Sequence, residues 1–192
     1  MRIRRSSSTR RQRRAAGGFS LIEMLIATII LTVGLIGLLS VFGVAMASTH
    51  SSEQDLLAKQ LASEAMESVF TARNSAELVW LQIQNIGSGT TPDGVFLTGF
   101  QPIRQAGPDG IIGTPDDALA APKVMTLAGP DGILGTADDQ QIPFTNFKRS
   151  IVIQPVPGTD ALRSITVTIQ YWVPPLNVPR TYTMTGFISQ YR

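Results

Sequence analysis

The chain has 192 residues and contains no cysteine, which excludes disulfides, thiolate metal sites and a lipid-anchored N-terminal cysteine. Seven of its sixteen basic residues are arginines within the first eighteen positions, where there is no acidic residue. The rest of the chain holds nine basic against fourteen acidic residues. The positive charge therefore belongs to the N-terminal segment and does not indicate nucleic-acid binding.

The first predicted element is a membrane-spanning helix. From Met24 to Ala47 no residue is charged, and Leu, Ile, Val and Ala predominate. A helix of this length extends roughly 36 Å at about 1.5 Å per residue, and a hydrocarbon core is about 30 Å thick. The preceding arginines are expected to remain in the cytoplasm, which places the rest of the chain outside it.

Three interpretations compete for this apolar run. A secretory signal has an apolar region of about 7 to 15 residues and small residues at its cleavage site. Ala45 and Ala47 offer that spacing, but the run is too long. A plain membrane anchor explains the length and leaves Glu23 unexplained, because a charge at the membrane centre costs about 2.5 to 3.5 kcal/mol on insertion scales.

The third interpretation gives Glu23 a partner. The segment Gly17-Gly18-Phe19-Ser20-Leu21-Ile22-Glu23 resembles the cleavage and methylation motif of type IV prepilins and type II secretion pseudopilins. The resemblance implies that prepilin peptidase cuts after Gly18, and that Phe19 becomes the N-methylated N-terminus. It also implies that Glu23 pairs with the Phe19 amine of a neighbouring subunit. A subunit out of register with its neighbour would leave an unpaired charge in an apolar environment. Burial of the ion pair therefore favours the one register in which both charges are paired.

Beyond the span, apolar residues recur at helical spacing, which predicts an amphipathic continuation of the helix. These residues are Leu57, Leu61, Ala65, Val69 and Phe70. After a break at 87–94, the segment 163–173 alternates with a period of two and is flanked by two similar runs, which predicts a three-stranded antiparallel meander. The predicted fold is α+β, with the helix packed on a small antiparallel sheet. It is similar to the pilin-like architecture, most of all to V-type minor pilins and I-type pseudopilins.

An acidic repeat precedes the meander. The segment AGPDGIIGTPDD at 106–117 returns as AGPDGILGTADD at 128–139, with ten of twelve positions identical. The two copies hold six of the nine aspartates of the chain: Asp109, Asp116, Asp117, Asp131, Asp138 and Asp139. Their glycines allow a tight curl that brings carboxylates together, and Ca²⁺ takes six to eight oxygen ligands. We expect either a calcium site, with Ca²⁺ as the one cofactor, or a pair of soluble Asp-Gly turns.

The predicted organisation has four parts. A basic leader at 1–18 is removed, a transmembrane and assembly helix occupies 19–47, and its amphipathic continuation occupies 48–80. A β-rich extracytoplasmic domain follows at 81–192, with the acidic repeats in a surface insertion near 100–145. The chain has one histidine, no nucleophile elbow, no P-loop and no dinucleotide fingerprint, which argues against an enzyme.

The sequence therefore predicts a minor pilin or pseudopilin, a structural subunit of a type IV pilus or a type II secretion filament. Its partners would be prepilin peptidase, other pilins or pseudopilins, the inner-membrane assembly platform and the lipid bilayer. It would cross the inner membrane once, with a cytoplasmic N-terminus, before it enters the filament. The alternative is a membrane-anchored or secreted calcium- or ligand-binding module whose signal is uncleaved or conventionally cleaved.

Overall fold

The computed structural model describes residues 18–173 and 178–191. Gly17 and the remainder of the predicted leader before it lie outside the described residues, as does the Pro174-Pro175 connection. The long helix α1 spans Leu21–Asn74, and short 3₁₀ turns occupy Trp80–Gln82 and Pro115–Leu119. The strands are β1 Gln101–Pro102, β2 Val124–Leu127, β3 Gln140–Pro143, β4 Phe147–Pro155, β5 Leu162–Val173 and β6 Val178–Ser189. The chain divides into two compact units, one ending at Ala45 and the other beginning at Met46.

The first unit contains the apolar part of α1. Its Leu, Ile, Val and Met side chains are all exposed. The hydroxyls of Thr28, Thr32 and Ser40 donate hydrogen bonds to helix carbonyls three or four residues earlier, at 2.8–2.9 Å. These polar groups are therefore satisfied within the helix, as an apolar solvent requires. Within 18–173 and 178–191, α1 is the one helix that is long and apolar enough to cross a membrane.

The second unit has its core between the later part of α1 and a four-stranded sheet. One face of the helix is buried, and most of its members are small, which allows the sheet to approach closely. These residues are Ala58, Leu61, Ala62, Ala65, Met66, Val69 and Ala72. Because Leu61, Ala65 and Val69 belong to the predicted apolar face, this packing confirms the predicted α+β fold.

The sheet has the strand order β1-β4-β5-β6, and its pairs are antiparallel. Alternate residues of β5 enter the core, so that Ile165, Val167, Ile169 and Tyr171 are buried. The predicted meander is therefore present as β4, β5 and β6. Strands β2 and β3 form a separate hairpin, in which Leu127 lies opposite Gln140. The second acidic repeat, 128–139, is the loop of this hairpin.

The helix ends earlier than its predicted limit at residue 80. Ser75 N–H still bonds the carbonyl of Thr71 at 2.8 Å, but Ala76 adopts the left-handed conformation with φ 62°. Ala76 N–H and Leu78 N–H then donate to the carbonyls of Arg73 and Ala72. A helix ends where a residue adopts the left-handed conformation and the N–H groups at and after it bond to carbonyls of the last helical turn. The apolar pattern did not show this end because the helical period carries no information on backbone handedness.

Candidate functional site

The N-terminal motif lies at the beginning of α1. Gly18, Phe19 and Ser20 precede the first helical turn, and the carbonyl of Ser20 accepts hydrogen bonds from the N–H groups of Glu23 and Met24 at 3.0 and 3.1 Å. The Phe19 side chain is 83% exposed. The Gly18-Phe19 bond is thus outside the helix.

Glu23 occupies the first turn of α1. A carboxylate at this position is favoured by the partial positive charge of the helix N-terminus. The ion pairs in the described part of the chain join His50 to Glu53, Lys123 to Glu64 and Arg180 to Asp55, and none of them includes Glu23. Within this described part, Glu23 has no basic partner of its own.

The first acidic repeat folds around hydrogen bonds from its own backbone. Asp109 Oδ1 accepts from Ile111 N–H at 2.8 Å, and Asp116 Oδ2 accepts from Asp109 N–H at 3.1 Å. Asp117 accepts from the N–H groups of Gly107 at 2.8 Å and Gly113 at 2.6 Å. Each aspartate therefore closes a turn of the same loop.

The second repeat reproduces three of these four bonds, and the exception is Asp139 Oδ1, which accepts no hydrogen bond from any described residue. Asp131 Oδ1 accepts from Ile133 N–H at 2.8 Å, and Asp138 Oδ2 accepts from Asp131 N–H at 3.2 Å. Asp139 Oδ2 accepts from Gly135 N–H at 2.6 Å, as Asp117 does from Gly113. The shared sequence thus encodes the same local conformation twice.

The surroundings of the two copies differ. In the first copy Ile111 is 4% exposed, and Ile112 N–H donates to the Ser68 hydroxyl of α1 at 2.9 Å. In the second copy Ile133 is 61% exposed. The prediction that the repeats are displayed on the surface is wrong for the first copy, because its isoleucines fill the core beside α1.

The environment also shifts the pKa values of the aspartates. Burial raises the pKa of Asp117, although the N–H groups of Gly113 and Gly107 and the charge of Arg149 act against it. In the second copy, hydrogen bonds from the Thr136 hydroxyl and from Asp131 N–H lower the pKa of Asp138. Backbone N–H groups and threonine hydroxyls therefore donate to most of the carboxylate oxygens that the sequence suggested as Ca²⁺ ligands, Asp139 Oδ1 being an exception.

No group of three or more metal-binding side chains is assembled in the part of the chain that the structure describes. The aspartates instead act as local caps for N–H groups. This gives the repeat a structural explanation that needs no ion, and the calcium site stays a prediction.

Two important polar residues gave no signal in the sequence. Asn85 lies beside the outer edge of β4, where its Nδ2 donates to Ile151 O and its Oδ1 accepts from Ile153 N–H, both at 2.8 Å. Its amide thus pairs with β4 as a strand would. The second residue is Arg149, whose charged side chain is buried in the core. Single polar residues whose partners are distant in sequence produce no periodic pattern.

A long helix with an apolar first part, packed further along on a small antiparallel sheet, is a pilin-like α+β arrangement. Residues 13–39 match the family model described as the prokaryotic N-terminal methylation motif. The chain therefore carries the motif typical of type IV prepilin-like proteins, which confirms the predicted resemblance. No curated protein and no solved structure matches the chain.

The match includes Gly17, Gly18, Phe19 and Glu23. The motif implies processing by prepilin peptidase and assembly with other pilins. It is typical of structural proteins rather than enzymes. Together with the apolar helix, it is consistent with anchoring in the inner membrane.

Proposed function

We propose that the protein is a minor pilin or pseudopilin, a structural subunit of a type IV pilus or a type II secretion filament. The observation that supports this most strongly is the methylation motif at the start of an exposed apolar helix. The apolar helix anchors the subunit in the inner membrane, and the domain from Met46 onwards is extracytoplasmic. The leader is removed after Gly18.

During assembly, the apolar helix leaves the lipid and packs among the apolar helices of other subunits. Burying one Leu, Ile or Val side chain stabilises by about 1.5 to 3 kcal/mol relative to water, and many such side chains are exposed between Leu21 and Met46. The helix is therefore stable in lipid or among other apolar helices and not in water. An assembly platform that extracts the subunit must deliver it directly from the bilayer to the filament.

Glu23 and Phe19 determine the axial register. Cleavage after Gly18 creates a new ammonium group at Phe19, and Glu23 is a carboxylate without a basic partner in the described part of its own chain. A neighbouring subunit in register places this ammonium beside Glu23. Removing one member of a buried ion pair costs about 3 to 5 kcal/mol, so incorrect registers are disfavoured.

The experiment is to replace Glu23 by Ala and to measure both processing and incorporation in cells that assemble the filament. Glu23→Ala should be cleaved after Gly18 at the parental level and be depleted from purified filaments, because its neighbour's ammonium loses its partner. Glu53→Ala is the matched control, since Glu53 is an exposed carboxylate further along the same helix. Recovery of Glu23→Ala in filaments at the level of Glu53→Ala would refute the pairing.

A further inference from the structure

Arg149 is a charged residue in the middle of the core. It lies on β4 on the same face as Phe147 and Ile151, which are buried, and is itself only 3% exposed. Burial lowers the pKa of its guanidinium, whereas Asp117 and Glu64 act in the opposite direction. Transferring an ionised group from water is costly unless hydrogen bonds or a close counter-charge compensate for it.

Those two carboxylates do not provide that compensation at short range. No described residue accepts a hydrogen bond from Arg149 Nη1, and the ion pairs found in the described ranges do not include this arginine. Asp117 already accepts hydrogen bonds from Gly107 and Gly113. Glu64 is paired with Lys123. Arg149 Nη1, a strong hydrogen-bond donor, is therefore buried without an acceptor among the described residues.

Arg149 lines a cavity of about 240 Å³ between β1, β4 and the first acidic repeat. The other polar lining residues are Arg104, Gln101 and Asp117. Arg104 is fixed by a hydrogen bond of 2.7 Å from its Nη1 to the carbonyl of Ala120. Two guanidinium groups and one carboxylate thus line the same partly enclosed space, and the sum of their charges is positive.

We propose that this cavity, the Arg149 cavity, binds a small oxyanion, either a carboxylate or inorganic phosphate. Guanidinium groups bind such anions through paired, charge-assisted hydrogen bonds. The cavity is smaller than the roughly 300 Å³ at which pockets for drug-sized ligands begin. The anion supplies the acceptor for Nη1 and balances the excess positive charge. The inference is independent of the proposed function.

The test is the thermal unfolding of the full chain in a neutral detergent. Sodium acetate and sodium phosphate are titrated separately, and sodium chloride at matched ionic strength is the reference. Binding raises the melting temperature in proportion to the logarithm of ligand concentration once the site is filled. Phosphate also stabilises proteins without binding, because it is excluded from their surface. The comparison with variants therefore distinguishes binding in the cavity from this general effect.

We expect the response to acetate, phosphate or both to exceed that to chloride by several degrees. Arg104→Gln should raise the ligand concentration at which the melting temperature begins to increase by about tenfold or more, because it removes a charged donor. Arg149→Gln should abolish the excess response, and Arg104→Gln provides the test if that variant does not fold. Lys148→Gln, on the neighbouring exposed position of β4, should respond as the parent does.

Two results would overturn the proposal. One is a parent whose melting temperature responds to both oxyanions no more than to chloride, in which case water satisfies Arg149. The other is an excess response that is unchanged in Arg104→Gln and in any folded Arg149→Gln protein, which would place the effect elsewhere on the molecule. A response to acetate alone identifies a carboxylate site, and a response to phosphate alone identifies a phosphate site.

Discussion

The two acidic repeats allow one residue type to be tested in two environments. Ile111 and Ile133 occupy the same position of identical local turns, but Ile111 is in the core and Ile133 is mostly exposed. Replacing each by Ala changes the same atoms in the same backbone conformation. We expect Ile111→Ala to destabilise the second unit strongly and Ile133→Ala to have almost no effect.

The magnitude follows from the burial of the side chain. Ile→Ala removes three carbon atoms, worth about 0.8 kcal/mol each when buried, or roughly 2.4 kcal/mol. Incomplete collapse of the resulting cavity adds to this, so the expected loss for Ile111→Ala is about 2 to 5 kcal/mol. A domain of this size loses about 2 to 4 °C of melting temperature per kcal/mol. For Ile133→Ala the change should remain within about 0.5 kcal/mol.

The assay is denaturant unfolding of the full chain in detergent, followed by tryptophan fluorescence. Both tryptophans, Trp80 and Trp172, belong to the second unit and report on its unfolding. The free energy of unfolding is compared between parent and variants, with the slope of the transition checked for a change in unfolded surface. Equal losses for the two variants, or a loss below about 0.5 kcal/mol for Ile111→Ala, would refute the assignment of the first repeat to the core.

Three further predictions concern polar contacts. Asn85→Ala should destabilise by about 1 to 3 kcal/mol in the same assay, since it leaves two backbone groups of β4 without partners; an unchanged stability would contradict this role. Hydrogen bonds from Gly87 N–H, the Ser88 hydroxyl and Gly94 N–H lower the pKa of Asp93 to about 2. The stabilisation that Asp93 contributes is therefore present above about pH 4 and is lost as the pH falls towards about 2. Asp93→Asn should reduce the dependence of the free energy of unfolding on pH over that range, and an unchanged dependence would contradict this contribution. Burial and the hydrogen bond to Asp55 raise the pKa of Tyr171 to about 12, and Asp55→Asn should lower it partway towards its ordinary value in an ultraviolet titration, whereas an unmoved titration would contradict the contact.

The sequence predicted those features that depend on periodic burial. Leu61, Ala65 and Val69 share a helical face, and Ile165, Val167 and Ile169 share a strand face, because each apolar residue reports the side of its element that meets the core. The methylation motif was also readable, since its residues are contiguous.

The remaining features depend on contacts between distant segments. The two repeats have nearly the same sequence, yet the first meets Ser68 of α1 and the second forms a hairpin loop. Local sequence determined their hydrogen bonds and could not determine their burial. Arg149 and Asn85 were missed for the same reason, because the groups around them come from other parts of the chain.

The most direct test of the proposed function is the intact mass of the protein extracted from the membranes of cells that express prepilin peptidase. We predict a chain that begins at Phe19 and carries one additional methyl group. A chain that retains its arginine-rich leader, or one that is cut after Ala47, would contradict processing as a pilin-like subunit and would favour a membrane-anchored or secreted binding module.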